Sequence, residues 1–305
     1  MNNSFKNIVA LKGQFFPLSW LMVGKKHPPF LPFYHIVSDQ KPDYINSYVV
    51  RNPQVFEKEL DYLLKHFKAV DLREIIEAPA KNKMHLSFDD GLKECHSLIA
   101  PILKRKGIPA TFFVSPGFID NKALFHRFKR AILENKGIVS SGGKRYHLHH
   151  SDELDQLAKQ HQIDFSKYKP YLTFEQLQSL YNDGFTIGAH SMNHPEMWLL
   201  NEEEQLRQVT ESMQWVIEHF NPVIRAFSFP FTDDGLSLSF FNKIAASGLV
   251  DVTFGTAGLK YDMAKNHFQR IPAERSGNWS IKKSVHFEYF YYFVRSLINK
   301  NTVIR

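Results

Sequence analysis

Short runs of nearly continuous apolar residues alternate along this chain with longer segments in which apolar positions recur every three or four residues. The first pattern predicts strands buried on both faces, the second predicts helices, and the alternation predicts an α/β fold around a parallel sheet. The strand candidates are Leu31–Val37, Met84–Phe88, Ala110–Ser115, Phe185–Ala189, Ala226–Phe231, Asp251–Gly255 and Phe268–Pro272. Between them, Asn52 opens a helix that places Phe56, Leu60, Leu63, Leu64 and Phe67 on one face. Thr173 with Gln176, and Asn201 with Glu204, read as caps of two further helices. Another helix follows Gly91, carries Leu92, Cys95, Ile99 and Leu103 at helical spacing, and stops at Gly107.

Residues 121–170 break this rhythm. A basic helical piece around Phe125–Leu133 leads to a turn at Gly142 and Gly143 and a polar stretch through His147, His149 and His150. The segment reads as an insertion or lid in a single domain spanning 1–305, with 280–305 as a C-terminal helical extension. Histidines clustered in a polar loop are expected to be solvated surface rather than metal ligands.

Composition narrows the function class. With 43% hydrophobic and 23% charged residues, the chain has enough apolar side chain for a substantial core. The net charge of +7 is spread rather than gathered into a basic run, and no nucleic-acid motif accompanies it, so no nucleic-acid partner is expected. The lone Cys95 excludes an internal disulfide and is expected to pack inward as an inert thiol. Lys6 and Lys12 precede the apolar stretch Phe15–Val23, but Pro17 and Ser19 interrupt it, which makes a poor signal peptide. The aromatic run His286–Leu297 is broken by Glu288 and Arg295, and no segment reaches the roughly 18 apolar residues of a spanning helix. A cytoplasmic protein is expected.

Three local features can carry chemistry. Asp89-Asp90-Gly91 follows a strand, where open α/β sheets gather ligands, yet Asp-Asp-Gly also makes an ordinary turn and helix start. Asp233-Asp234-Gly235 repeats the triplet after another strand, so local context does not choose between them. His190 and His194 stand four apart after Phe185–Ala189 and can face one ion if the chain turns helical there, although among 15 histidines such a pair also arises by chance. His35 lies in the apolar strand Leu31–Val37, where a histidine is more often a hydrogen-bonded core residue than a catalyst.

Taken jointly, Ser87-Phe88-Asp89-Asp90-Gly91, then His190-Ser191-x-x-His194, then Phe229-Pro230-Phe231 resemble the polysaccharide deacetylases of carbohydrate esterase family 4 from about Leu31 to Pro272. The resemblance implies an irregular (β/α) barrel and a metal-dependent hydrolase that removes N-acetyl, or alternatively O-acetyl, groups from a glycan of the bacterial surface type. It assigns Asp89 as base and Asp90, His190 and His194 as ligands of one divalent ion, Zn²⁺ first, with Co²⁺ or Ni²⁺ as alternatives. Phe229, Pro230 and Phe231 become substrate-binding candidates, with Trp198 as a further aromatic surface.

Departures from the family pattern accompany the match. Ser228 stands where the third motif usually has an arginine that steadies the base, which leaves Arg270 or Arg275 to supply it. The usual C-terminal Leu-x-His motif, source of the acid, is missing. Tyr34-His35 resembles a circularly permuted branch that draws this histidine from the first strand, so His35 becomes the expected acid. The hundred residues between Asp90 and His190 exceed the usual spacing, and the insertion accounts for them. The alternative is a catalytically inactive glycan-binding or scaffold protein on the same fold. The iron oxygenases that share a two-histidine, one-carboxylate set usually build it on a β-sandwich, against the helices expected here.

Overall fold

Strands that are apolar on both faces can be buried only if something covers each face, and here a nearly closed sheet and an outer layer of helices do so. The computed structural model describes residues 16–22, 27–80, 82–141, 146–275 and 279–305; Lys6, Lys12, Gly142 and Gly143 lie outside them. The central sheet has eight strands: β1 (Pro32–Tyr34), β2 (Leu86–Phe88), β3 (Ala110–Val114), β4 (Thr186–Ala189), β5 (Ala226–Ser228), β6 (Val252–Gly255), β7 (His267–Gln269) and β8 (Ile271–Pro272). Their spatial order is β7-β6-β5-β4-β3-β2-β1-β8, and every pairing is parallel.

The two edge strands, β7 and β8, are consecutive in the chain and separated by Arg270 alone. The Arg270 N–H donates to Gly255 O at 3.0 Å, while that of Ile271 donates to Leu31 O at 2.9 Å. One residue thus bridges the two edges, and the sheet wraps into a nearly closed barrel, as expected. Phe268–Pro272 is therefore two strands rather than the single one its apolarity suggests. A local apolar run reports burial but not which neighbour each half pairs with.

Packing follows the period of two. Ser87 points into the barrel, while Phe88 stacks outward against Tyr34, Phe56 and Phe112. Inside, Phe113 and Phe254 pack with Leu31, Ala226 and Val252. Gly188 is required by this interior: a Cβ there would lie 2.6 Å from the Phe113 ring.

The outer helices are α1 (Pro53–Leu64), α2 (Ala100–Lys106), α3 (His126–Asn135), α4 (Ser151–Gln160), α5 (Phe174–Asn182), α6 (Glu202–Phe220), α7 (Leu238–Ala246) and α8 (Ile281–Ser296). The expected caps form: Asn52, Thr173 and Asn201 accept N–H bonds from Gln54, Gln176 and Glu204. Gly107 ends α2 with φ of 63°. Phe56, Leu60, Leu63 and Phe67 are buried as the pattern requires, but Leu64 is exposed. Cys95 is fully buried, and burial pushes its thiol up, as an inert core cysteine requires. Among the described residues no helix is long and apolar enough to cross a membrane.

Residues 121–170 supply α3 and α4, which share Leu133, Leu154 and Ala158. Phe125 and Phe128 of this segment pack on Ile36, Leu92 and Tyr171 at the barrel rim. The C-terminal residues are tied into the barrel: Tyr289 of α8 stacks on Phe30 and Phe67, Thr302–Val303 pairs with Tyr261–Asp262, and Arg305 buries its guanidinium against Asp262.

Candidate active site

Because all strands are parallel, their C-terminal ends meet at one rim, and the residues after β1, β2 and β4 converge there. His35 follows β1, Asp89 and Asp90 follow β2, and His190 follows β4. The ladder continues one step past the strands, with Asp89 N–H donating to Tyr34 O at 2.9 Å and His190 N–H to Val114 O at 2.8 Å. These bonds fix the height at which the side chains enter.

The loop turns are tight. Asp90, Ser191, His194 and Phe231 all have positive φ, at 72°, 64°, 55° and 57°. Left-handed backbone at such residues is costly, and its concentration at one place fits a functional rim. His190 and His194 are accordingly not on a helix, as their spacing allowed. Ser191 and His194 cannot join a right-handed helix, and the His194 N–H instead donates to Ser191 Oγ at 3.1 Å. Gln208 of α6 accepts from Met192 N–H at 3.1 Å and anchors the bend.

Asp90 Oδ1 lies 3.1 Å from His194 Nε2 and 3.6 Å from His190 Nε2. The three residues form one of two groups among the described residues whose ligand atoms lie within 4.8 Å of one another. His190 Nδ1 stands 2.8 Å from Ser228 O, an atom that can only accept, so Nδ1 carries the proton and Nε2 offers its lone pair. Burial pushes His190 down to about 4, which keeps it neutral. Burial alone would raise Asp90, but His194, His35 and His190 outweigh it and hold the carboxyl well below the usual range. Asp90 Oδ1 is buried without a hydrogen-bond partner. An unsatisfied buried carboxylate oxygen facing two imidazoles is an unfavourable arrangement that a divalent cation would relieve, and one carboxylate with two imidazoles is a donor set for Zn²⁺.

Asp89 sits beside this group, with Oδ2 3.9 Å from His190 Nε2. Arg270 grips it in a bidentate pair, Nη1 to Oδ1 at 2.7 Å and Nη2 to Oδ2 at 2.8 Å. The same guanidinium donates to Ser87 Oγ at 2.9 Å and Ser228 Oγ at 2.5 Å and lies 4.4 Å from the Phe33 ring centre. Ser228, where the family pattern has arginine, thus receives a bond from an arginine that reaches the same carboxylate from the barrel seam. Burial pushes Asp89 up, yet Arg270, with His190 and His35, holds it below the ordinary carboxylate value. Arg275, the other candidate, pairs with Glu288 of α8 instead.

His35 donates from Nδ1 to Glu274 Oε2 at 2.9 Å, while Glu274 Oε1 accepts the backbone N–H groups of His35 and Ile36. Burial would lower this imidazole, but the Glu274 carboxylate, with Asp90 and Asp89, raises it to about 9. A cation beside Asp90 would oppose that rise.

Two residues escaped the sequence reading. Tyr48 donates from its hydroxyl to Asp90 Oδ2 at 2.6 Å and stacks on His35 with ring centres 4.1 Å apart. It lies in the irregular stretch between β1 and α1, where no periodicity marks it. Glu274 follows β8 and had no local signal either.

The site opens into a cavity of about 350 Å³ lined by His35, Tyr48, Asp89, Arg127, Trp198 and Phe231, among others. Of the aromatic candidates, Phe231 packs its ring 4.7 Å from His194 and 5.8 Å from Trp198, while Phe229 is fully buried against Phe227, Phe240 and Phe241. Pro230 is buried, and its carbonyl accepts the Thr232 N–H.

The repeated triplet proves different in kind. Asp233 is held by Thr256 N–H at 3.0 Å, Gln269 Nε2 at 2.7 Å, His267 Nε2 at 3.0 Å and the Arg305 guanidinium. With Asp262 and His267 it forms the second potential ligand group, but Arg305 already neutralises both carboxylates. His147 meets Glu196 at 3.1 Å, which ties the 121–170 segment to the residue two beyond His194.

Comparisons with known proteins agree with the fold. The deacetylase PplD of Streptococcus pyogenes, in complex with acetate, superposes with a TM-score of 0.59 at 17% identity, covering 87% of this chain and 99% of that one. IcaB from Ammonifex degensii gives 0.57 at 16%, covering 87% and 98%. A de-N-acetylase from Aggregatibacter actinomycetemcomitans gives 0.56 at 14%, covering 84% and 98%. No curated protein sequence matches the chain significantly. The polysaccharide deacetylase family model matches residues 77–239, more than half of the chain and the span that holds Asp89, Asp90, His190 and His194. With the fold and this sequence match in agreement, the chain belongs to the polysaccharide deacetylase family.

Proposed function

We propose that the protein hydrolyses the N-acetyl group of a glycan residue seated in the rim cavity, using a divalent cation held by Asp90, His190 and His194. Zn²⁺ is the first choice for the ion, with Co²⁺ or Ni²⁺ as alternatives. The observation that carries this reading is the buried, unpartnered Asp90 Oδ1 facing the Nε2 atoms of both histidines. When bound, such an ion lowers the pKa of water toward about 7 and polarises an acyl oxygen.

The remaining steps belong to the chain itself. Asp89, kept ionised by Arg270, accepts a proton from the attacking water; its bidentate clamp fixes the carboxylate so that no reorientation is needed as the proton moves. His35 gives a proton to the departing nitrogen. Its Nδ1 is committed to Glu274, so Nε2 is the atom left to act, and the Glu274 carboxylate favours the protonated ring. Tyr48 holds Asp90 through Oδ2 and leaves Oδ1 to the ion. Phe231 and Trp198 offer flat surface to a sugar ring. Residues 121–170 act as the wall or lid of the cavity.

The test is acetate release from N-acetylglucosamine oligomers and from an acetyl ester by protein stripped with a chelator and resupplied with Zn²⁺, Co²⁺ or Ni²⁺, beside Asp89→Asn. Metal-dependent release that the substitution abolishes supports the reading, and the ester tells amide from ester preference. Release that persists in metal-free protein, or in Asp89→Asn, overturns it.

A further inference from the structure

The mouth of the cavity carries a positive charge that the reaction does not use. Arg127 is the second residue of α3, is exposed, lines the cavity, and lies with its guanidinium carbon 4.4 Å from the Phe231 ring centre. Its helix neighbours have acidic partners: Lys129 reaches Asp155 at 2.7 Å and Arg130 reaches Glu134 at 2.9 Å. Arg127 forms no ion pair or hydrogen bond among the described residues. Deeper in the cavity Asp89 is paired with Arg270, and Asp90 Oδ2 accepts from Tyr48 while its Oδ1 faces His190 and His194.

Three further features act in the same direction. The aromatic face beneath Arg127 favours a fixed, flat guanidinium, which reduces the entropy lost when its fork meets an anion. The first turn of α3 has no side-chain cap, so the positive end of its dipole lies at the same place. The net charge of +7 adds a long-range field of that sign. A cavity of about 350 Å³ is near the small end of the range for ligand sites, so a second sugar must lie at the mouth, beside Arg127.

We infer that Arg127 selects glycans that carry a carboxylate or phosphate on the sugar adjoining the acetylated residue. This specificity rests on the rim cavity being the glycan site. A planar guanidinium takes either anion in a bidentate fork, and the two sources are separable by experiment.

Three oligosaccharides of equal length serve as probes: neutral N-acetylglucosamine, strands alternating with the carboxylate-bearing N-acetylmuramic acid, and 6-phosphorylated N-acetylglucosamine. Binding is read by tryptophan fluorescence and acetate release in parallel, for wild type, Arg127→Gln and Arg127→Glu. Wild type should bind at least one anionic strand about tenfold to a hundredfold more tightly than the neutral one, the worth of one charged hydrogen-bonded pair. The anion preferred identifies the source. The ratio should collapse toward one in Arg127→Gln and invert in Arg127→Glu. Equal binding of all three strands by wild type, or a preference that survives in Arg127→Gln, overturns the inference. Anionic preference without acetate release from any strand would sink the deacetylase reading and leave the role of Arg127 standing.

Discussion

Arg270→Met takes the guanidinium out of the barrel seam and leaves an unbranched apolar chain against Phe33, Phe113 and Phe254. In the wild type both partners are buried, Arg270 at 1% side-chain exposure and Asp89 at 3%, so neither charge is compensated by water. Removing one partner of such a pair costs about 3–5 kcal/mol, because the other charge stays buried and alone. That loss is a large part of the ~5–15 kcal/mol by which domains are stable. The sign of the pH dependence follows from Asp89. Its carboxyl is held low in the folded wild type, so it contributes stability above about pH 4, and that contribution is lost as pH falls through the lowered folded value. Without Arg270, burial, the largest single influence on Asp89, should no longer be outweighed and should lift it above its unfolded value, so the variant gains stability on protonation. The gap between wild type and variant should therefore be largest near pH 7 and narrow toward pH 4. Urea denaturation read by tryptophan fluorescence measures it. Arg270→Met with Asp89→Asn, which removes the stranded charge, should recover much of the loss. A single variant that loses less than about 1 kcal/mol, the scale of an exposed ion pair, would refute the reasoning, as would a double variant no better than the single.

Other expectations are as direct. Tyr48→Phe deletes the 2.6 Å bond to Asp90 and should weaken Zn²⁺ binding about 10-fold to 100-fold, the usual effect of losing a partner of a metal ligand, measured by competition with a chelating dye. Unchanged affinity would remove Tyr48 from the site. Glu274→Gln removes the carboxylate that raises His35, so burial should then dominate and carry the imidazole down from about 9. The alkaline limb of the kcat profile should move to lower pH, and a limb that stays in place would exclude His35 as the acid. Stability has the same sign: a raised histidine stabilises the fold fully below about pH 6.5 and loses that effect as pH rises through the folded value, so Glu274→Gln should be less stable than wild type near pH 6 and close to it above pH 9.

The alternation of apolar runs with helical segments made the parallel α/β sheet legible, because strands buried on both faces leave a signature that needs no partner information; its closure into a barrel was implied by the family resemblance alone. The motif residues Asp89, Asp90, His190 and His194 were legible as a set, although Asp233 shows that the same triplet after a strand can serve a structural ion cluster. What separated the two was long-range: Arg305 and His267 close on Asp233, while Tyr48, His190 and His194 close on Asp90. Arg270 lies 181 positions from Asp89, and only closure of the barrel brings them together. Local periodicity cannot carry that information, which is why Phe268–Pro272 reads as one strand. Tyr48 and Glu274 lie outside any periodic segment, and their roles come from contacts that the loop geometry alone creates.

The central claim is that Asp90, His190 and His194 bind the cation. Crystals soaked in zinc, measured at the zinc absorption edge, test it most directly. The account predicts one strong anomalous peak at about 2.0–2.2 Å from each of Asp90 Oδ1, His190 Nε2 and His194 Nε2. A peak at Asp233, Asp262 and His267 instead, or none at the rim, would contradict it.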